Sequence, residues 1–340
     1  MLYYYALLYY NINLKQINTM KKIHLISTLI GLLAFSTISK ADLKVVTSIK
    51  PIHSLASYIM DGVGSPGLIV DGYNSPHNFQ LKPSHAKMLE QADIIFWVGE
   101  DLENFLEKPL DTIVKKAEKI ELLEIKGIKK LKFRERNIFE EHDDHGHDAK
   151  KEEHDDHGHD AKKEEHDNHE GHGHGEYDPH IWLDPINAKV ILNEITEHLI
   201  ENDSKNASTY KSNLAKALAE IDKLIIDVIT ETNTDLSYVV FHDAYQYYEN
   251  RFNVNILGAM TVNPDVMPGA EQIHEIHEVI EHDNVSCILS EPQFNPDIIK
   301  SIAKDTSVKT GVLDPLGANL KPGKDLYFDL IRNMSASFNC

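Results

Sequence analysis

Two runs of alternating strand-like and helix-like segments, separated by a long helical stretch, restrict this chain of 340 residues to few architectures. In the first run, short β-rich apolar segments at 43–49, 68–70, 94–99 and 120–123 alternate with helices opening near Pro51, Pro83 and Asn104. Proline at an early helical position accounts for two of those starts. The second run places strands at 238–241, 254–259, 287–290 and 308–313, with helices near Ala244, Gly269, Asn295 and Lys324. Strands that alternate with helices form parallel sheets covered by helices, so the expected fold class is α/β with two lobes. Each lobe is a four-stranded, mainly parallel sheet flanked by helices. Between the runs, Ala188, Ile191, Ile195 and Leu199, then Leu214, Leu218, Ile221, Leu224, Ile225 and Val228, recur at helical spacing. Asp203 or Ser204 can cap a second helix of about 28 residues, a rod of about 40 Å that joins the lobes rigidly. The alternative is two ordinary surface helices of one domain. The expected division is an N-terminal lobe at 42–203, a linking helix at 204–232 and a C-terminal lobe at 233–340.

One segment breaks this pattern. Residues 140–176 hold fifteen acids, four lysines and ten of the chain's twenty histidines, and the twelve residues HDDHGHDAKKEE at 142–153 recur letter for letter at 154–165. No apolar periodicity is present to offset chain entropy, so a solvated, disordered loop is expected. Neutral imidazoles at His142, His145, His147, His154, His157, His159, His166, His169, His172 and His174 stand beside carboxylates. That donor set suits divalent transition metals, zinc first, held weakly and in many alternative combinations. The excess of eleven negative charges concentrates cations there. The competing reading is a low-complexity acidic linker whose histidines are incidental.

Residues 1–41 are set aside from the fold. Met20-Lys21-Lys22, an apolar stretch from Ile23 to Ile38 and the small-residue site Ser39-Lys40-Ala41 read as a secretory signal, with Asp42 the expected mature N-terminus. Residues 1–19 read as an upstream extension from a misassigned start codon. A retained membrane anchor is the alternative, but the apolar run is short for a span. The remaining 299 residues suffice for two lobes with sizeable cores. Residues 1–41 carry four lysines and no acids, so the mature charge is 30 minus 54, or −24, which argues against a nucleic-acid partner. In an oxidising compartment Cys287 and Cys340, the only cysteines, can form one structural bridge.

In open α/β sheets, ligands sit beyond the carboxyl ends of the strands. Polar residues just after the apolar runs are therefore the candidates. His77 lies in GYNSPHNFQLKPSH, His180 in DPHIWLDP, His242 in YVVFHDAY, Asp314 in GVLDPLG and Glu291 in CILSEPQF. Three imidazoles and a carboxylate suit a tetrahedral or slightly expanded zinc site. Their wide spacing along the chain makes the pattern weak by itself.

The segments SPHNFQLKPSHAKMLEQADIIFWVG, DPHIWLDPINA, VVFHDAYQYYENRFNV, NPDVMPGAEQIHEI, ILSEPQFNP and VLDPLGANL together resemble the zinc-binding solute-binding proteins of ABC importers, the ZnuA type. The resemblance spans 42–340. It implies two α/β lobes joined by one long helix, with a metal in the cleft and a His-rich loop before the second metal histidine. It assigns His77, His180 and His242 as ligands, Asp314 as an oxygen ligand, and Cys287 with Cys340 as a disulfide. Glu291 is expected to orient a ligand histidine by accepting its other N–H. Some zinc-binding members have a glutamate immediately before the first histidine, where this chain has Pro76, so Asp314, water or a loop histidine can each supply the fourth ligand. Manganese-binding members tend to have a carboxylate where this chain has His242, and imidazole favours zinc. By the Irving–Williams order copper binds such a site at least as tightly, so metal availability must help to select.

The expected function is that of a monomeric periplasmic protein that captures Zn²⁺ and hands it to an inner-membrane ABC permease, without catalysis. The alternatives are a manganese- or iron-binding homologue, a zinc-buffering adhesin, and a zinc hydrolase using an open metal position. Against the hydrolase stands the lack of an HExxH motif or of a general base beyond the ligand candidates. His53 and His85 are expected to be structural, His274 and His277 to lie on a polar helix face, and Trp97 and Trp182 to be core and cleft wall.

Overall fold

The apolar runs become eight strands in two sheets of the same topology. The computed structural model describes residues 42–134, 136–139, 175–264, 266 and 268–340. The expected signal at 1–41 and the ten tract histidines, His142 to His174, lie outside the described residues. The first sheet contains β1 (Val45–Ile49), β2 (Gly67–Val70), β3 (Ile94–Trp97) and β4 (Glu118–Glu121), in the order β2-β1-β3-β4. The second contains β5 (Ser237–His242), β6 (Asn255–Thr261), β7 (Cys287–Ser290) and β8 (Lys309–Val312), in the order β6-β5-β7-β8. Every pairing within them is parallel. β1 (VVTSI) is buried at all five positions, as an interior parallel strand covered on both faces must be. β4 lies two residues earlier than the apolar signal suggests, because its register pairs Ile94 with Glu118 and Trp97 with Glu121. Its charged residues suit a sheet edge, whereas Leu122 and Leu123 turn into the core just beyond it.

Helices α1 (Lys50–Ile59), α2 (Pro83–Glu90), α3 (Asn104–Thr112), α4 (Pro185–Asn202) and α5 (Ala207–Glu231) precede the second sheet. α6 (Gln246–Phe252), α7 (Ala270–His282), α8 (Asp297–Thr306) and α9 (Leu326–Ser337) belong to its run. The joining helix α5 has 25 residues, about 37 Å of rod. It starts later than expected because Ser204–Asn206 winds as a 3-10 turn, and Asp203 is engaged sideways by Asn206 Nδ2 at 2.6 Å and the Tyr210 hydroxyl at 2.8 Å. Its buried stripe is Tyr210, Asn213, Ala217, Ile221, Leu224 and Val228, spaced three and four residues apart. Asn213 Nδ2 donates to the carbonyls of Ile59 and Asp61 at one end, and Thr232, just past the other end, meets Ser335 Oγ at 2.9 Å. The helix therefore reaches from the first strand–helix run to the last helix. No helix among the described residues is long and apolar enough to cross a membrane.

Two further links join the two runs, and a disulfide closes the second run on itself. Cys287, at the start of β7, is bridged to Cys340, with Cα atoms 6.4 Å apart. Residues 137–139 cross to the edge of the second sheet, where Ala259 N donates to Asn137 O and Phe139 N donates to Leu257 O, each at 2.8 Å. Gly258 is required at that crossing, since a Cβ there would lie 2.7 Å from Asn137 O. Lys50, at the end of β1, donates through Nζ to the carbonyls of Ala318 at 3.0 Å and Leu320 at 2.7 Å.

Candidate metal centre

In each sheet the first strand is interior and its two neighbours are reached in opposite directions, which opens a crevice between the first and third strands. In the second sheet those are β5 and β7. His242 ends β5 and Glu291 follows β7, so strand adjacency brings together two residues 49 apart in sequence. His242 Nδ1 lies 2.7 Å from Glu291 Oε1, which also accepts from the Tyr245 hydroxyl at 2.9 Å.

His180 comes from the segment that precedes α4. Here Pro185 opens the helix and Asp184 caps it, accepting from Ile186 N at 2.9 Å, while Arg251 holds the Asp184 carboxylate through Nε at 2.7 Å and Nη2 at 2.8 Å. Trp182 Nε1 donates to Pro315 O at 2.8 Å, the Tyr247 hydroxyl donates to Asp178 O, and the Tyr327 hydroxyl donates to Trp182 O. These bonds pin the segment on several sides. His180 Nδ1 lies 2.7 Å from Asp178 Oδ1. His77 comes from the loop after β2, its backbone N–H donating to Ser75 Oγ at 3.3 Å.

The three imidazoles converge. Ring centroids of His77 lie 5.5 Å from those of both His180 and His242, and the latter two are 5.1 Å apart. One ring nitrogen from each lies within 4.8 Å of the others, and this is the only such cluster among the described residues. His180 and His242 are almost fully buried, whereas His77 is half-buried. The His180 and His242 Nε2 atoms are 3.3 Å apart. Asp178 Oδ1 also accepts from His180 N and Glu291 Oε1 from the Tyr245 hydroxyl, so each of these oxygens is an acceptor that fixes the N–H of its histidine on Nδ1 and leaves Nε2 as the lone-pair atom. Two facing lone pairs at that distance repel unless a cation lies between them. Tetrahedral zinc with Zn–N bonds of about 2.05 Å separates its nitrogens by about 3.3 Å, so the spacing fits that ion.

Electrostatics divide the pair unequally. Burial, and secondarily the charge of His242, holds the His180 pKa well below its ordinary value. Burial also pulls His242 down, but the charge and hydrogen bond of Glu291, with Asp243 and Asp178 behind them, outweigh it and raise its pKa. Burial pushes Asp178 up to about 7. Without metal, His242 takes the site's proton and shares it with neutral His180. A metal has to displace that proton, so its affinity is full above the His242 pKa and falls as pH drops through it.

Asp314 is not part of the cluster. Its Oδ1 accepts from Leu316 N and Gly317 N at 3.0 Å and from Gln293 Nε2 at 2.9 Å, and its Oδ2 accepts from Ala318 N at 2.5 Å. The carboxylate expected to be an oxygen ligand instead holds a turn. Asp314→Ala should cost about 1–3 kcal/mol of stability by orphaning those N–H groups. Zinc affinity should fall by about tenfold at most. Urea unfolding and zinc titration of the same sample check both, and a larger loss of zinc than of stability would restore Asp314 as a ligand.

The remaining candidates are structural. His53 Nε2 lies 3.2 Å from Pro66 O, and His85 Nδ1 accepts from Lys82 N at 3.2 Å in the capping box of α2. His274 faces Glu278 on the exposed side of α7. Trp97 is core, and Trp182 is buried in the wall of the cavity that the three histidines line. Two residues absent from the sequence reading matter here. Asp178 was signalled only by its place two residues before His180. Arg134 had no signal: it donates to Asp243 Oδ1 at 2.9 Å and to Glu249 Oε1 and Oε2 at 3.0 and 2.7 Å, fixing the residue beside His242.

The family model described as "ZnuA: Zinc-uptake complex component A periplasmic" matches residues 45–339. The high-affinity zinc uptake system protein ZnuA of Brucella abortus (strain 2308) is 48% identical over 301 residues, covering 86% of this chain and 90% of its own. Among solved structures, a mutant of the laminin-binding adhesin Lmb from Streptococcus agalactiae superposes with a TM-score of 0.68 at 22% identity, covering 87% of this chain and 98% of that one. A crystal structure of ZnuA does so with a TM-score of 0.66 at 20% identity, covering 87% of this chain and 100% of that one. At these identities the structures speak for the fold alone.

Proposed function

We propose, on the premise that this chain belongs to the ZnuA family of periplasmic zinc-uptake components, that it captures Zn²⁺ between its two sheets and delivers it to an inner-membrane ABC permease. Zinc is the cargo, and no bond of a substrate is made or broken. The observation that carries the reading is the pair of Nε2 atoms 3.3 Å apart, each with its other ring nitrogen tied to a buried carboxylate. His77, His180 and His242 are the proposed ligands, with Asp178 and Glu291 orienting two of them. Export through the signal at 20–41, release as a monomer, and lobes at 42–203 and 233–340 joined by 204–232 complete the proposal.

The tract at 140–176 is proposed as an accessory that collects zinc near the cleft. The tract has no apolar periodicity to offset the chain entropy lost when it wraps an ion, which keeps affinity below that of a site built on strands and helices. Deleting residues 140–174 should therefore lower zinc stoichiometry and spare one tight site, as read by isothermal titration in competition with a chelator. Absence of a tight site from the deletion protein would mean that the tract, and not the cleft, is the principal binder.

A further inference from the structure

Three imidazoles leave tetrahedral zinc one position short, and the wall of the same cavity contains two side-chain oxygens that no protein group satisfies. They are Gln293 Oε1 and Glu291 Oε2, both buried, on residues that line the cavity with His77, His180 and His242. Buried acceptors without partners are uncommon and call for a donor. Glu291 is already committed to His242 through its other oxygen. Gln293 Oε1 accepts no hydrogen bond from any described group, so it is not explained by orienting a histidine.

The orientation of the Gln293 amide is decided by chemistry. Its Nε2 lies 2.9 Å from Asp314 Oδ1, and an ionised carboxylate accepts but cannot donate. The NH₂ end must therefore face Asp314, which commits the carbonyl oxygen to the other side. Asp314 cannot swing away, because three backbone N–H groups of the turn at 316–318 hold it. The turn, the carboxylate and the amide thus form one relay that ends in an acceptor on the cavity wall.

Resting on the reading of the three histidines as a zinc site, we infer that Gln293 Oε1 accepts a hydrogen bond from a water that completes the coordination of the captured ion. Water bound to a dication is a strengthened donor, and an amide oxygen fixed in advance can hold it without adding charge. A neutral amide leaves the fourth ligand exchangeable, which suits a protein that has to give up its cargo. It also accounts for the departure at Pro76, where no carboxylate is available to fill the position. Gln293 is therefore a positioning residue for the fourth ligand, and Asp314 acts on the metal through it.

The test uses the full chain and three variants, with zinc affinity read by chelator competition and coordination read by the visible absorption of the cobalt(II)-loaded protein. Gln293→Met keeps the volume and removes the acceptor. It should lose about tenfold or more in zinc affinity, the range for loss of an outer partner, and should change the cobalt spectrum. Gln293→Glu keeps an oxygen at the position, its other oxygen taking a proton toward the Asp314 carboxylate, and should bind zinc more tightly than Gln293→Met. His242→Ala tests the underlying reading. Loss of tight binding there with parent-like affinity and spectrum in Gln293→Met would overturn only the role of Gln293. Equal losses in Gln293→Met and Gln293→Glu, accompanied by a lowered apo-protein melting temperature, would overturn it as well by making the residue merely structural. Retention of tight binding in His242→Ala would remove the three-histidine site itself.

Discussion

Alanine in place of His180 or His242 should weaken zinc binding by more than about a hundredfold, beyond the 10- to 100-fold that follows loss of an outer partner. Each substitution removes one of the two facing Nε2 atoms and leaves a buried carboxylate, Asp178 or Glu291, without its imidazole. The loss therefore combines a missing ligand with a buried carboxylate that has one donor fewer, Asp178 Oδ1 keeping the backbone N–H of residue 180 and Glu291 Oε1 the Tyr245 hydroxyl. His77→Ala should also fall into this class, although His77 is half-buried and a water can enter in its place. Protein lacking residues 140–174 provides the clean background, since tract histidines cannot then substitute. Near-parent affinity in two of the three variants would refute the assignment.

Removing the Cys287–Cys340 bridge should have the largest effect on stability. The two cysteines are 53 residues apart, and in the chain-entropy model closing such a loop contributes about 4 kcal/mol. For a folded unit of this size that corresponds to a fall in melting temperature of roughly 6–10 °C. The bridge ties the interior strand β7 to Cys340, just past α9. The paired Cys287→Ala, Cys340→Ala variant measured by urea unfolding gives the value. A parent whose midpoint does not move on reduction would show that the bridge contributes nothing. Zinc affinity should stay close to that of the parent in either case, because neither cysteine lines the cavity.

The sheets were legible because interior parallel strands are read as unbroken apolar runs, and 287–290 in particular needed no adjustment. β4 was misplaced by two residues because an edge strand is chosen by its partner's register, to which its own charged side chains give no clue. The start of α5 lies three residues later than 204 because Ser204–Asn206 winds as a 3-10 turn and Asp203 is engaged locally by Asn206 and by Tyr210 of the helix itself. At the site, the histidines were visible as polar residues following apolar runs, and Glu291 by the same rule. Asp314 satisfied that rule equally well yet faces its own turn, since position at a strand end does not reveal which way a side chain points. Gln293 and Arg134 had no sequence signal at all. Their roles depend on groups 21 and 115 residues away, a separation that only the fold spans.

Lys50 gives the molecule an order of assembly. Its ammonium group is 3% exposed and pulled below its ordinary pKa by burial, and its closest partners are two carbonyls that lie 268 and 270 residues further along the chain. Until those residues arrive, native packing around β1 would enclose a cation with only the exposed Asp71 carboxylate, 3.8 Å away, to answer it. Native packing of the first sheet before residues 318 and 320 are in place should therefore carry an energetic penalty. Ser54 follows the same schedule, donating to Lys324 O and accepting from Tyr327 N. Contacts with sequence separations of 268 to 273 cost loop-closure entropy before they form, so they slow folding, and they bind the first strand–helix unit to the last residues of the chain.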